Sequence, residues 1–220
     1  MSSSTKDVVT RLLVNDRFKA GMLDNLLSQV QVDASPLVAR GELARAQALI
    51  SVRITEDSAG RKSPSDFDHD AAAAYSNLKS SLLMNPTDSY LWLKFYLLEI
   101  GRSGFDASIV GYLDKSYTAG PLEGWIALQR NIIAISVFRN LSDEMQARVV
   151  LEFGALVDSK FTDAAALNLI GTSPEIRVLL ASGLESVELV EREALAKKIA
   201  REGMKVDIPG VQVDERLWHQ

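Results

Sequence analysis

The residues with the plainest capacity for chemistry are Asp66-Phe67-Asp68-His69-Asp70. Three carboxylates and an imidazole in five positions are donor types that a metal ion accepts. A loop-type calcium site, however, needs a glycine turn after its third acid and a glutamate at its twelfth position. Here Ala71 follows Asp70, and Asn77 stands twelfth. The acids are therefore read as part of a helix start, where they complement the helix dipole and cap free N–H groups. Catalysis by a serine–histidine–aspartate set needs a positioned imidazole. The two histidines, His69 and His219, sit beside a loop and at the penultimate position. The glycines are isolated at turns, so no phosphate-cradling loop is present. The chain has no Cys, which excludes disulfides, thiolate ligands and cysteine nucleophiles. A carboxylate pair meeting in a cleft from distant segments is the one hydrolytic arrangement left open. No catalytic residue, metal or cofactor is assigned.

Binding is the chemistry that remains. Trp92 and Trp125 read either as wedges between helices or as a ligand-stacking pair. Arg130 and Asn131, with Gln129, are the polar cluster of an otherwise apolar helix. They either line the groove of a helical stack or cap a neighbouring helix end. Arg40 and Tyr96 join them, so the expected binding residues are Arg40, Tyr96, Arg130 and Asn131.

The elements that must position these residues are helical. The 220-residue chain is 47% hydrophobic and 24% charged, which specifies a globular protein with a sizeable core. Its 13 Gly and 6 Pro fall between periodic segments, and Ala and Leu dominate over β-formers. Net charge is −5 and the basic residues neighbour acidic ones, so the clustered footprint of a nucleic-acid binder is missing. No apolar run approaches the roughly 18–20 residues of a membrane span. The first residues lack the basic segment and apolar core of a signal peptide. They imply a cytosolic chain, or one whose leader or anchor precedes Met1.

Periodicity and start signals predict helices over residues 6–14, 19–31 and from Pro36 to about Asp57. A loop is expected over Ser58–Ser65, then a helix from Asp70 or Ala71 to Met84 and another carrying Trp92. Further helices are expected from Asp106, around Trp125, from Ser142, over 162–170, from Ser173-Pro174 and from about Ser186 to Glu202. The helix carrying Trp125, apolar nearly all round, is expected at the middle of a stack. Gly171 and Gly203 are expected to end helices, and Ile208-Pro209-Gly210-Val211 to form a turn. Trp218, in the tail, is expected to dock on the body or contact a partner.

Two helices share one spacing: Ala74, Leu78 and Ser81 with Pro86 five further on, then Ile109, Leu113 and Ser116 with Pro121 five further on. Trp92 follows Pro86 by six residues and Trp125 follows Pro121 by four. In this the chain resembles a tetratricopeptide repeat protein. It departs from the pattern where Tyr96 takes a small-residue position and Glu99 a tyrosine position. Three further segments, Pro86-Thr87-Asp88-Ser89-Tyr90-Leu91-Trp92-Leu93, Gly120 to Asn131 and Val206 to Val211, carry a second resemblance. From about Leu12 onward the chain looks like a group of proteobacterial helical-repeat proteins associated with the envelope and with surface-polysaccharide export or polymerisation. That resemblance implies an N-terminal anchor, not seen here, and a membrane-complex partner.

Together these readings give an all-α chain of about ten helices, arranged as a right-handed stack of antiparallel hairpins. Residues 1–65 are N-terminal helices, 66–140 the repeat body, 141–203 a helical cap and 204–220 a tail. The expected function is non-enzymatic binding of a protein or peptide on a concave face. The alternative is an accessory subunit of a polysaccharide assembly system, contacting glycan.

Overall fold

The structure is a computed structural model that describes residues 10, 22–30, 37–61 and 63–212. The helix expected over 6–14 (apart from Thr10), the Ser35-Pro36 start and the docking of Trp218 lie outside these residues. Among the described residues all regular structure is helical: ten α-helices, two short 3-10 turns and no strand. None of these helices is long and apolar enough to cross a membrane. The chain divides into two compact units, Met1–Gly120 and Pro121–Gln220. That boundary falls inside the 66–140 stretch read from sequence as one repeat body.

The first unit contains α1 (Met22–Val30), α2 (Leu37–Ser58), α3 (Pro64–Met84), α4 (Ser89–Ser103) and α5 (Val110–Ala119). Each helix packs on its sequence neighbour, and α2 also reaches α4. Because α2 is covered by α1 and by α3 with α4, it is buried well beyond a single stripe. Ala48, Ser51, Val52 and Thr55 are inside as well as Leu43, Ala46 and Ile50. The repeat spacing has a physical counterpart here: Ala74, Leu78, Ser81, Ile109, Leu113 and Ser116 are all buried. The small members let helices approach, and the Ser116 hydroxyl donates to the Ser89 carbonyl at 2.8 Å, tying α5 to the start of α4.

One boundary differs from expectation. Helix α3 starts at Pro64, several residues before Ala71, and not after a loop reaching Ser65. Ser63 is the N-cap, with Pro64 in the first turn, and the Ser63 hydroxyl accepts from the Asp66 amide at 3.3 Å. Proline is suited to that position because its missing N–H would be unpaired there anyway. At the other end Asn85 caps the helix and donates through Nδ2 to the Gly41 carbonyl of α2 at 3.0 Å. Asp88 caps α4 through the amides of Tyr90 and Leu91, and its second oxygen accepts from Arg45 Nε at 2.5 Å. Cap residues thus also cross-link the hairpins.

The second unit contains α6 (Gly124–Ser136), α7 (Asp143–Asp158), α8 (Thr162–Ile170), α9 (Pro174–Ser182) and α10 (Leu189–Arg201). Here α7 is the hub. It packs against α6, α8, α9 and α10, while α10 lies chiefly on α8. Ser142 caps α7 as expected, accepting from the Met145 amide at 3.3 Å. The last helix begins at Leu189, three residues after Ser186. Gly203 takes φ 79° after it, a backbone setting glycine adopts without strain. The crossing of α7 with the end of α9 is close: a Cβ on Gly154 would lie 2.8 Å from the Gly183 carbonyl oxygen. Only glycine fits at that contact.

Candidate functional site

Helix α6 reverses the expected arrangement. Its polar residues are inside: Arg130 and Asn131 are both 0% exposed, while the apolar Trp125 and Ile132 are 40% and 52% exposed. Burial of an arginine requires a partner of opposite charge. Glu152 of α7, 1% exposed, is that partner and accepts from Arg130 Nε at 3.1 Å and from Nη2. Its other oxygen, Oε2, has no hydrogen-bond partner. Asn131 donates to the Val149 carbonyl at 3.0 Å, and its own oxygen accepts from Asn168 Nδ2 of α8 at 3.0 Å. This network joins α6, α7 and α8 and is closed to solvent. Arg130 and Asn131 therefore do not line a groove, and Trp125 is not a core wedge.

The other two expected binding residues are likewise separated. Tyr96 of α4 is fully buried and its hydroxyl has no hydrogen-bond partner; burial pushes its pKa up. Arg40 is exposed on α2. Of the four, Tyr96, Arg130 and Asn131 are buried and Arg40 alone is exposed. Asp66, Asp68, His69 and Asp70 sit on α3, spread about 100° apart per residue around its axis. No group of three or more His, Asp or Glu side chains placed to hold a metal occurs among the described residues.

An aromatic cluster without a mark in the sequence is built by three successive helices of the first unit. Phe95 of α4 lies 5.1 Å from Tyr75 of α3 and 4.7 Å from Tyr112 of α5, ring centre to ring centre. Trp92 packs edge-on to Phe95 at 6.4 Å and lies nearly parallel to Tyr112, 6.2 Å away with 14° between planes. Arg102 sits over the Tyr75 ring, 5.0 Å from its centre, and also pairs with Glu99 at 3.1 Å. Phe95 is buried, whereas Tyr75, Trp92 and Tyr112 are half-buried and keep an edge in water. The Trp92 indole N–H donates to the Pro86 carbonyl at 2.8 Å, which fixes the ring. Burial, with the nearby Tyr75 and Glu99, pushes the Tyr112 pKa up, so its hydroxyl stays protonated at neutral pH. Amphipathic rings held in place with one edge wet are suited to contact a partner at little entropic cost.

Arg102 also borders a pocket of about 170 Å³ between α2, α3 and α4, whose walls include Val52, Phe67, Leu97, Leu98 and Gly101. Its edge carries the Lys94–Glu56 ion pair at 2.8 Å. Burial pushes the Lys94 pKa down, but Glu56 and Tyr90 together outweigh it through charge and hydrogen bonding, and the net shift is upward. The only sequence signal for this surface is the count of aromatics at Tyr75, Trp92, Phe95 and Tyr112; no periodic rule makes them converge.

Comparison with protein-family models, with curated proteins and with solved structures finds no match.

Proposed function

We propose that this chain is a non-enzymatic binding or scaffold module. Its first unit acts as a degenerate stack of tetratricopeptide-like hairpins that takes a peptide or protein segment. The observation that carries this reading is the aromatic cluster Tyr75–Trp92–Tyr112 with Arg102 beside an apolar pocket. Three successive helices each contribute to it, as a repeat stack contributes to its binding face. Rigid aromatics and an arginine are the residue types that dominate interface energetics. A bulky apolar side chain suits the pocket, and Arg102 suits a carboxylate or carbonyl beside it.

The test is selection from a displayed random-peptide library against the full chain, followed by titration of the winning peptides. Tyr112→Ala and Arg102→Glu should each weaken binding about tenfold or more, the equivalent of 1.4 kcal/mol. Selected peptides whose affinity is unchanged by both substitutions would remove the assignment.

A second reading is supported by one observation. The near-parallel Trp92 and Tyr112 rings, both partly exposed, suit stacking on sugar faces. Under that reading the chain is an accessory component of a surface-polysaccharide system. Trp92 fluorescence would then change on titration with acidic or neutral oligosaccharides, and Tyr112→Ala would abolish the change.

A further inference from the structure

The charge around the aromatic cluster of the first unit is one-sided at its Trp92 end. On α4, Trp92 lies one turn before Phe95, the ring that meets both Tyr75 and Tyr112. Both neighbouring helices run antiparallel to α4. Only four residues join α3 to it, and Ser116 of α5 reaches Ser89 while Tyr112 reaches Phe95. The positions one turn after Tyr75 on α3 and one turn after Tyr112 on α5 therefore come level with Trp92. They are Lys79 and Lys115, both exposed, and neither has an ion pair among the described residues.

The acids of this region are engaged or lie elsewhere. Asp88, one turn before Trp92, caps α4 and accepts from Arg45. Asp114 stands about 100° round α5 from Lys115. Glu99, Asp106 and Asp68 belong to the other end of the cluster, where Glu99 pairs with Arg102 and Asp106 caps the turn before α5. A chain of net charge −5 thus sets two unpaired cations beside a half-buried indole. The indole N–H is spent on the Pro86 carbonyl, so the ring offers its apolar face and edge and no donor. Sugar hydroxyls both donate and accept, whereas ammonium groups only donate. A carboxylate carried on an apolar segment matches this end better.

We propose that the Trp92 end of the cluster is a subsite for the aspartate or glutamate residues of a peptide segment. Lys79 and Lys115 supply the counter-charges, and the Trp92 ring takes the adjoining apolar part of the segment. The subsite presupposes that the first unit binds a peptide, and it fixes that peptide's direction: acids toward Trp92, the bulky apolar residue toward the pocket beside Arg102. Complementary charge of this kind chiefly selects the partner and speeds its arrival.

Peptides selected from a displayed random library against the full chain are the probe. They should be enriched in Asp and Glu. The double variant Lys79→Glu with Lys115→Glu, at exposed positions, should bind them about tenfold or more weakly at low ionic strength, and the difference should shrink near 1 M salt, where the screening length is about 3 Å. Replacing the peptide's acids by Asn and Gln should cost the wild type a similar factor and cost the double variant nothing, a coupling that a merely structural role of the lysines would not give. Peptides that lose affinity with Tyr112→Ala and keep it with the double variant overturn the subsite and leave the peptide-binding reading standing. Peptides indifferent to Tyr112→Ala and Arg102→Glu, or an empty selection, overturn both. An empty selection together with polygalacturonate binding that the double variant loses also overturns the proposal, because the lysines then serve an acidic glycan.

Discussion

Among the described residues each unit has five α-helices, yet the two are held by different means. In the first unit the helices follow one another in space as they do in sequence, and the ties between them are cap residues used twice. Asn85 and Asp88 end and start helices and also grip α2 through Gly41 and Arg45. Small residues and rings fill the interior. In the second unit α7 is a hub, α10 returns to α8, and the interior encloses an arginine, a glutamate and two asparagines. The aromatic cluster of the first unit keeps Tyr75, Trp92 and Tyr112 half-buried. A hub arrangement closes on itself, so its polar residues serve specificity of packing. The lesson is that the same residue types carry opposite prospects in the two units. Exposed rings in the first are candidates for recognition, whereas buried charge in the second is architecture.

The largest effect should come from separating the buried pair. Arg130→Met leaves Glu152 charged, buried and without its partner, a change that typically costs about 3–5 kcal/mol. The double variant Arg130→Met with Glu152→Leu removes both charges and should recover most of that loss, since an apolar pair of similar volume is often as stable. Urea unfolding gives the energies, and amide exchange shows where they act: protection should fall in α6, α7 and α8 while α3, α4 and α5 keep theirs. Equal losses in both units would break the distinction drawn above. A double variant as unstable as the single would show that the network does more than satisfy its own charges.

Glycine-to-alanine substitution should give opposite signs in the two units. In Gly154→Ala the new methyl meets the Gly183 carbonyl oxygen at 2.8 Å, a backbone atom that yields only if the helices part. Overpacking of this kind costs about 1–3 kcal/mol. Gly111, inside α5, has nothing within 4 Å of the added carbon. Gly111→Ala should therefore stabilise by about 0.5–1 kcal/mol through reduced backbone freedom in the unfolded chain. Thermal unfolding of the pair is the measurement, and a stabilising Gly154→Ala would mean the α7–α9 crossing is looser than it looks.

Local signals were legible and long-range pairings were not. Asp106 and Ser142 are N-caps, Gly171 and Gly203 end helices, and the repeated small-residue spacing is buried at all six positions. Each of these depends on residues within one or two turns. In the sequence the Ser63-Pro64 start reads as loop because a serine and a proline serve either purpose, and only the Asp66 amide donating to Ser63 decides it. Arg130 was read as a groove residue because a lone arginine on an apolar helix has no sequence mark for burial. Its partner stands 22 positions away and Asn131's stand 18 and 37 away. The aromatic cluster likewise draws on helices α3, α4 and α5, and no period spans them. Fold class follows from local grammar; the site follows from which helices meet.

The smallest effect at neutral pH, and the most selective probe of the comparison, is alkaline titration. Burial raises the pKa of Tyr96, and the net shift of Lys94 is also upward despite its burial, because Glu56 and Tyr90 together favour the charge. Both groups belong to the first unit. A group whose folded pKa lies above its unfolded value contributes stability that is complete below the unfolded value. That contribution is lost as pH rises through the folded one. For tyrosine and lysine the unfolded values are about 10 and 10.4, so the loss should begin near there and fall on α3, α4 and α5. Tyr96→Phe should be neutral or slightly stabilising at pH 7, because the hydroxyl it deletes is buried with no hydrogen-bond partner. Above about pH 10 the same substitution should protect, since the ionisation that favours unfolding is gone. Amide exchange at successive pH values reads both units at once. A first unit that opens no earlier than the second, or a Tyr96→Phe variant with an unchanged alkaline profile, would show that the buried phenol does not set the alkaline limit of that core.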